Sequence, residues 1–310
     1  MTASRLATAA ATDQADTLRR LAGRSKVEAA PPDLLQVREG LRVISVTSGK
    51  GGVGKSSVVV NLAASLAASG QRVLIIDSNP GMGDICLRLG KEAPYRLSQV
   101  LNGEIPMEET VVDVGGGISV LPAGMDMQQY TSLSPRERLS LLQGMLRLED
   151  GYDYFLIDTG AGISANVTSF AAMAREIMLV VTPEPTSITD AYALVKTLSG
   201  RDSGLKFRLL VNMCRDAEEG ATLFSKLSAI TGRFLQISMD HAGSILHDDL
   251  LVESVRRRGA LCRLYPDAKG SLGFRILAQK LTAEPPAGGA PMPIGPMASS
   301  KLWRNHELSS

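Results

Sequence analysis

The chain has 310 residues, 44% hydrophobic and 21% charged, which is enough for one large α/β domain or two small ones. Its 33 basic and 32 acidic side chains leave a net charge of +1, which argues against a protein that coats nucleic acid by bulk charge. Three cysteines without a CxxC pair exclude a disulfide scaffold and fit a reducing cytoplasm. We therefore expect a cytoplasmic protein with a sizeable buried core.

Three regions of different composition follow one another along the chain. Residues 1–40 form a polar leader with one short helical pattern over residues 13–22. Residues 41–282 alternate short apolar runs with helical patterns, whereas residues 283–310 hold five of the 15 prolines. Because a segment rich in proline and glycine buries little apolar surface, the sequence predicts a disordered tail after the folded region.

The middle region reads as repeated strand and helix units. A helical pattern over residues 55–68 follows the first apolar run, and further helical stretches separate the later ones. Runs that are apolar on both faces and alternate with helices are typical of a parallel sheet covered on both sides, which predicts a three-layer α/β fold. The predicted strands cover residues 41–47, 72–77, 118–121, 154–158, 177–182 and 208–213.

A glycine-rich loop follows the first predicted strand and opens the first predicted helix. It contains the pattern G-x-x-x-x-G-K-S from Gly49 to Ser56. Glycines let successive backbone N–H groups turn toward phosphate oxygens, and the helix N-terminus adds a partial positive charge. In this arrangement Lys55 reaches the β- and γ-phosphates and the Ser56 hydroxyl binds Mg²⁺. The predicted ATP-binding residues are Gly49, Lys50, Gly51, Gly52, Val53, Gly54, Lys55, Ser56 and Ser57.

Two carboxylates end predicted strands on either side of this loop. Asp77 closes the run at 72–77, and Asp158 closes the run at 154–158. The carboxyl ends of parallel strands face the ligand crevice, and carboxylate and hydroxyl oxygens suit Mg²⁺. The sequence therefore predicts a magnesium site made by Ser56, Asp77 and Asp158.

The loop also resembles that of a known family. Residues Lys50 to Ser56 match the K-G-G-x-G-K-[ST] loop of the deviant-Walker ATPases related to MinD and ParA. The resemblance implies a MinD-like P-loop fold and an ATPase that forms a homodimer when ATP is bound. It also implies that Lys50 crosses the dimer interface and touches the nucleotide of the partner subunit. Further stretches resemble the flagellar-number regulators of the FlhG, FleN and YlxH branch, at residues 121–124, 158–164, 181–196 and 264–266.

The same resemblance assigns roles to other residues. Asp158 corresponds to the Walker-B acid, Asp77 to the first-switch acid, residues 159–162 to the second switch, and Asn212 to the amide that binds adenine. From the residues alone, a buried amide that caps a turn is the alternative explanation of Asn212. One position departs from the family: relatives read D-x-D-x-G-x-x-N after the second strand, whereas this chain has Asn79 at the second acid. Since an amide orients water but cannot take its proton, we expect slow ATP hydrolysis.

The leader carries a second branch-specific pattern. Residues 13–19 match the D-Q-A-x-x-L-R element of the FlhG branch. Asp13 can cap a helix of about ten residues, which is marginal on its own and should order on a partner surface. The resemblance identifies that partner as the SRP-type GTPase FlhF, with Gln14 directed at the GTPase site. The predicted partner-binding residues are Asp13, Gln14, Leu18 and Arg19.

These features predict a nucleotide switch that regulates flagellar number or placement with an FlhF-type GTPase, in the cytoplasm and reversibly at the inner face of the cell membrane. Flagellar switch proteins or a flagellar transcription activator are further partners in the family. Residues 269–281, the arginines at 256–258 and Trp303 are candidates for lipid contact, although the first two are also explained by packing on the core and by complementing a helix end. Three other hypotheses remain open. They are a ParA-like DNA-partitioning ATPase, which the near-zero charge disfavours, an iron–sulfur carrier or amidating synthase that couples ATP to chemistry, which the spacing of Cys86 and Cys214 disfavours, and an ATP-binding scaffold with little turnover.

Overall fold

The computed structural model describes residues 37–79, 85–122 and 134–286, and these contain eight strands and eleven α-helices. The strands are β1 (Arg42–Ser48), β2 (Val73–Asp77), β3 (Val112–Gly115), β4 (Ile118–Leu121), β5 (Tyr154–Ala161), β6 (Glu176–Val181), β7 (Lys206–Cys214) and β8 (Met239–Leu246). The helices are α1 (Lys55–Ala68), α2 (Ile85–Arg88), α3 (Leu97–Leu101), α4 (Met107–Thr110), α5 (Pro135–Leu146), α6 (Ala165–Ala171), α7 (Pro185–Ser199), α8 (Ala217–Leu235), α9 (Leu250–Arg256), α10 (Leu261–Leu264) and α11 (Lys269–Ala283).

All eight strands join one sheet in the order β3-β4-β2-β5-β1-β6-β7-β8. Every neighbouring pair is parallel except β3 and β4, which form an antiparallel hairpin at one edge. Strands β2, β5 and β1 lie side by side in the middle, so the loops at their carboxyl ends meet at one place. The predicted fold class, a mostly parallel sheet with helices on both faces, is confirmed.

Helices cover both faces of the sheet and bury it. On one face, α1 packs beneath α11, and the fully buried Val58, Leu62 and Leu66 of α1 share a core with Phe274 of α11. On the other face, α7 and α8 cover β6 to β8, and α5 covers the half of the sheet around β2 and β5. Strands buried on both faces read as continuous apolar runs, and for this reason their sequence pattern was clear.

The six predicted strands all form, whereas β3 and β8 were not predicted. Both are edge strands. In β3, buried and exposed residues alternate over only four positions, and β8 carries Asp240, His241 and Gly243 among its apolar residues. An edge strand needs fewer apolar residues than a central one, so its periodicity is weak. Among the described residues, no helix is both long enough and apolar enough to cross a membrane.

A charged contact follows the last helix. Helix α11 extends through Ala283, past the expected boundary at 282. The next residue, Glu284, places its carboxylate 2.6 Å from Arg208 Nη1 and 3.6 Å from Arg42 Nη2. These ion pairs hold the chain against the sheet just after α11. Amino-acid composition alone cannot predict such contacts. The leader residues Asp13, Gln14, Leu18 and Arg19, and Trp303 in the tail, lie outside the described residues.

Candidate nucleotide-binding site

The glycine-rich loop at residues 49–54 connects β1 to α1, as the motif requires. Gly52 and Gly54 have φ angles of +81° and +83°, a backbone conformation that glycine adopts readily and other residues rarely do. Helix α1 then begins at Lys55, and Gly54, at its N-cap, supplies no side-chain cap. The first N–H groups of the helix thus point into the loop, where a phosphate can accept their hydrogen bonds.

The start of the loop packs directly on the backbone of α7. A Cβ atom added to Gly49 would lie 2.2 Å from both the carbonyl carbon and the carbonyl oxygen of Asp190. Only glycine permits this approach, because the obstructing atoms belong to the backbone. One residue earlier, the Ser48 hydroxyl donates a hydrogen bond of 2.8 Å to the Lys50 carbonyl and holds the turn. The glycine-rich loop is therefore packed against α7, so a shift of one requires a shift of the other.

A lysine and two carboxylates meet at the base of the loop. Lys55 Nζ lies 3.7 Å from Asp158 Oδ1, and both side chains are buried. Asp77 is also buried, and it is paired in register with Asp158 across β2 and β5. Ser56 follows Lys55 in the first turn of α1 and is half-buried. This set offers an ammonium group for phosphate and hard oxygen donors for a divalent cation, so it fits Mg²⁺ bound to a nucleotide.

Backbone contacts hold the two carboxylate strands in place. Asp77 Oδ1 accepts a hydrogen bond of 3.1 Å from the backbone N–H of Asn79, and Asp77 Oδ2 lies 3.5 Å from the N–H of Ile85. The Ser78 hydroxyl donates to the Asp158 carbonyl at 2.9 Å. These contacts tie the end of β2 to β5 and to the start of α2.

Asn79 faces the predicted second switch. A Cβ atom added to Gly160 would lie 3.8 Å from Asn79 Oδ1, so the amide reaches the start of residues 159–162. In that segment the Thr159 hydroxyl donates to the Val46 carbonyl at 3.1 Å, and the Gly162 N–H donates to the Ser48 carbonyl at 2.9 Å. The second switch is thereby tied to β1. The proposed role of Asn79 in orienting water stays a prediction.

Lys50 lies on the outer side of the loop and pairs with an acid of the same chain. Its ammonium forms an ion pair with Glu184, the N-cap residue of α7, and both side chains are partly exposed. Sequence reasoning did not identify Glu184 as part of the site. The available signal was its position before Pro185, because proline favours the first turn of a helix and so marks where α7 begins. That Lys50 crosses to a partner subunit remains a prediction.

Asn212 braces the loop from the end of β7. Its Nδ2 donates a hydrogen bond of 2.8 Å to the Val53 carbonyl, and the side chain is buried. This hydrogen bond agrees with the alternative explanation of Asn212 as a buried amide at a turn. Its predicted contact with adenine is untested.

A second amide, Asn61 in α1, was not predicted from the sequence. It donates to the Ser57 carbonyl at 2.8 Å and accepts from the Cys262 N–H at 3.1 Å, so it joins the first turn of α1 to α10.

Comparison with known proteins places this site in a family. A family model described as an AAA domain matches residues 41–208. The antiactivator FleN of Pseudomonas aeruginosa is 40% identical over 246 residues, covering 79% of this chain and 88% of FleN. The flagellum site-determining protein YlxH of Helicobacter pylori is 28% identical and covers 85% of this chain and 89% of YlxH.

Solved structures agree with this assignment. The cell-division ATPase MinD of Pyrococcus furiosus superposes with a TM-score of 0.66 at 25% identity, covering 78% of this chain and 98% of MinD. MinD of Pyrococcus horikoshii, solved with Mg-ADP, gives the same TM-score and identity over 78% of this chain and 96% of that one. The chain belongs to the MinD/ParA family of P-loop ATPases, with the flagellar regulators FleN and YlxH among its relatives.

Proposed function

We propose that this protein is an ATP-dependent switch that regulates flagellar number or placement. ATP and Mg²⁺ bind at the glycine-rich loop, the ATP-bound chain forms a homodimer, and hydrolysis returns it to the monomer. The observation that carries this proposal is the buried arrangement of Lys55 with Asp158 and Asp77 at the first turn of α1. A buried ammonium beside one carboxylate, with a second carboxylate on the neighbouring strand, is well placed for a nucleoside triphosphate and its cation.

The position of Lys50 supports the dimer. It is attached to the loop that surrounds the phosphates, yet its side chain lies at the surface beside Glu184 rather than in the core. A lysine that crosses to the partner's nucleotide must start from such a place. ATP then contributes directly to the contact between the two chains, and loss of the γ-phosphate weakens it.

The cellular role follows from the relatives. FleN is described as an antiactivator and YlxH as a flagellum site-determining protein. We propose that this protein also acts on flagella. The leader helix at residues 13–22 stimulates an FlhF-type GTPase, and the protein attaches reversibly to the inner face of the cell membrane. Flagellar switch proteins or a transcription activator are the further partners of this proposal.

The biochemical core can be tested by measuring nucleotide binding and oligomeric state together. Wild-type protein should bind a fluorescent ATP analogue with Mg²⁺ and shift from monomer to dimer in light scattering. Lys55→Ala should lose binding, whereas Lys50→Ala should bind nucleotide as a monomer. Lys206→Ala, an exposed lysine at the opposite end of β7, is the matched control and should behave as wild type. A wild-type protein that stays monomeric with saturating ATP and Mg²⁺ would contradict the proposal.

The flagellar assignment needs its own test. A peptide of residues 1–26, added to the FlhF-type GTPase from the same genome, should raise its rate of GTP hydrolysis. The same peptide with Gln14→Ala should not. An unchanged GTPase rate with the unaltered peptide would leave a MinD-like ATPase without this partner.

One observation favours a second candidate, an ATP-binding scaffold with little turnover. Asn79 stands where relatives have an acid and directs its amide toward the second switch. Both candidates bind ATP and dimerise, so they differ only in the rate of hydrolysis. Measured turnover separates them.

A further inference from the structure

One residue beside the phosphate loop has an unusual backbone conformation. Among the described residues, three other than glycine have positive φ angles, which are Met213 (+59°), Gln236 (+57°) and Arg258 (+54°). Gln236 caps the end of α8, and Arg258 directly follows the C-cap of α9. A left-handed residue is common at the end of a helix, but Met213 lies within the strand β7. Such strain persists only where the surrounding structure imposes it, and it is frequent at ligand sites.

An extra residue in β7 accompanies this conformation. From the pair Val211–Ser244 to the pair Cys214–Leu246, β7 advances by three residues and β8 by only two. The additional length is taken up at residues 212–213. A bulge of this kind gives side chains a new direction, and bulges are common beside active sites.

The bulge directs two consecutive side chains at one glycine. In a regular strand, neighbouring side chains point to opposite faces of the sheet. Here a Cβ atom added to Gly54 would lie 2.6 Å from Asn212 Nδ2 and also 3.2 Å from Met213 Cε. Met213 therefore lies against the N-cap of α1, where the phosphate loop ends. Its side chain is only half-buried, so part of it is open to a ligand in the loop.

The order of the strands indicates which part of a nucleotide comes near Met213. The predicted magnesium ligands Asp77 and Asp158 lie on β2 and β5, on one side of β1. Strand β7 is the second strand on the other side of β1. The cation of a bound nucleoside triphosphate bridges its β- and γ-phosphates, so the sugar and base leave the loop on the side away from the metal. We therefore expect the base to lie over the end of β7.

We propose that the base of the nucleotide stacks on the Met213 side chain. A thioether is polarisable and makes favourable contacts with aromatic rings. The neighbouring amide is already engaged, because Asn212 Nδ2 donates to the Val53 carbonyl. Met213 thus determines the affinity for the nucleoside, whereas Lys55 and the N–H groups of the loop bind the phosphates. This inference rests on nucleotide binding in the proposed function, for which it names the residue that contacts the base.

Binding of two ligands separates a base contact from a structural role. ATP and inorganic tripolyphosphate, which has no base, are each titrated with Mg²⁺ into the full-length protein by calorimetry. Met213→Ala should bind ATP about two- to tenfold more weakly, the range of one contact between sulfur and an aromatic ring, and should bind tripolyphosphate as wild type does. Met213→Leu nearly keeps the side-chain volume but lacks the sulfur, so it should lose part of this affinity.

The matched control is Gln236→Ala. This variant also replaces a left-handed residue, but at the C-cap of α8 rather than beside the loop. Both of its affinities should equal those of wild type. Urea unfolding of each variant confirms that the titrated protein is folded.

A second measurement needs no variant. Hydrogen peroxide oxidises an accessible thioether to the sulfoxide and is itself reduced to water. ATP should slow the oxidation of Met213 more than tripolyphosphate does, because only ATP carries a base that covers the sulfur. Peptide mass spectrometry measures both rates. Met173, which packs on Leu142 and Leu146, is the internal reference and should be oxidised at the same rate with either ligand.

Three results would overturn the inference. Equal losses of ATP and tripolyphosphate affinity in Met213→Ala would show that this side chain only supports the loop. An unaltered affinity for ATP in that variant would show that the base lies elsewhere, and so would equal protection of Met213 by the two ligands. A wild-type protein that binds neither ligand would contradict the proposed function itself, so the two failures are distinguishable.

Discussion

Gly49 shows how a single position couples the phosphate loop to the rest of the domain. The motif explains its glycine by the need for a tight turn around phosphate. In the structure, the limiting contact is with protein, since the backbone of Asp190 in α7 occupies the space that a side chain would need. Gly51, two residues later, has no protein atom within 4 Å of an added Cβ. Protein packing therefore excludes a side chain at Gly49, whereas no protein atom excludes one at Gly51.

Gly49→Ala should therefore destabilise the folded protein even without nucleotide. Forcing a methyl group against backbone atoms typically costs about 1–3 kcal/mol, because α7 or the loop must move. Gly51→Ala is the matched control and should leave the free energy of unfolding unchanged. Urea unfolding of the nucleotide-free proteins measures both. Equal stability of the two variants would show that the approach of the loop to α7 is looser than described.

The ion pair between Lys50 and Glu184 makes a prediction about dimer affinity. In the monomer, Glu184 competes for the ammonium that is predicted to reach the partner's nucleotide. A partly exposed pair contributes at most about 1 kcal/mol. Because both protomers must release their Lys50, Glu184→Gln should lower the dissociation constant of the ATP-dependent dimer by up to about 25-fold, about fivefold for each protomer, measured by mass photometry over a concentration series. Glu218→Gln in α8 is the control, and a weaker dimer in Glu184→Gln would instead place this acid in the interface.

The sequence predicts which residues of the site carry charges and hydroxyls. It does not predict the long-range hydrogen bonds that hold the loop and α1 in place. Lys55 and Ser56 follow from the spacing of one motif, and Asp77 and Asp158 from their positions at strand ends. The contacts of Asn212 with Val53 and of Asn61 with Cys262 join residues far apart in the chain. Nothing local distinguishes such an amide from any other buried polar residue, so only the folded structure assigns its partner.

Among the elements, β1, β6, β7 and α11 are joined by a buried ion cluster at the end of the sheet opposite the site. Glu176 accepts hydrogen bonds from Arg42 Nη2 at 2.7 Å and from Arg208 Nε at 3.0 Å, and Arg42 and Glu176 are almost completely buried. Arg42 Nη1 also donates to the Leu281 carbonyl, which is in the last turns of α11. The cluster thus fixes where the C-terminal helix ends.

Removing the central carboxylate should destabilise the fold strongly. Glu176→Gln leaves two buried guanidinium groups with the partly exposed Glu284 as their remaining acid, and breaking a buried pair costs about 3–5 kcal/mol. Chemical denaturation should show this loss, while nucleotide binding below the unfolding transition persists because the cluster is remote from the loop. The control is Glu39→Gln at the surface. A change below about 1 kcal/mol would mean that water or rearrangement replaces the lost charge.

Glu284 should make the end of α11 sensitive to acid. Burial opposes ionisation, but the hydrogen bond and charge of Arg208, together with Arg42, hold the pKa of Glu284 below its usual value of 4.5. A lowered folded-state pKa means that the carboxylate stabilises the fold above pH 4.5 and that this contribution disappears as the pH falls through the lowered value. Hydrogen exchange of residues 277–284 should therefore accelerate in that acid range. In Glu284→Gln it should already be fast at neutral pH, and a wild-type profile in this variant would show that the contact is not structural.

Composition and periodicity predicted the central elements and missed the edges. The buried strands β1, β2, β5, β6 and β7 have continuous apolar runs, whereas the edge strand β8 is interrupted by Asp240 and Gly243. Helix α11 runs one residue beyond the predicted domain boundary at 282, and Glu284, which pairs with Arg208, follows it. Local sequence patterns predict which residues are buried. They do not predict ion pairs between residues that are far apart in the chain.

At the scale of the whole molecule, strand order creates the site. The order β2-β5-β1 brings Asp77, Asp158 and the phosphate loop to neighbouring carboxyl ends, although they are far apart in sequence. The alternation of strands and helices predicted a parallel sheet but not this order, because each crossover can pass over different neighbours. Resemblance to the MinD family implied a MinD-like P-loop fold, and the order itself is read from the structure. The site therefore depends on topology as much as on its motif.

The lifetime of the ATP-bound state is the property of the whole molecule that Asn79 should control. An acid at this position can orient the attacking water and accept its proton, whereas the amide can only orient it. Because positioning and charge stabilisation dominate phosphoryl transfer, Asn79→Asp should speed single-turnover hydrolysis by about tenfold, less than the 10²–10⁴-fold of a complete general base. The dimer should dissociate correspondingly sooner after ATP is added. Asn102→Asp, an exposed amide after α3, is the control, and an unaltered or lower rate in Asn79→Asp would mean that another group positions the water.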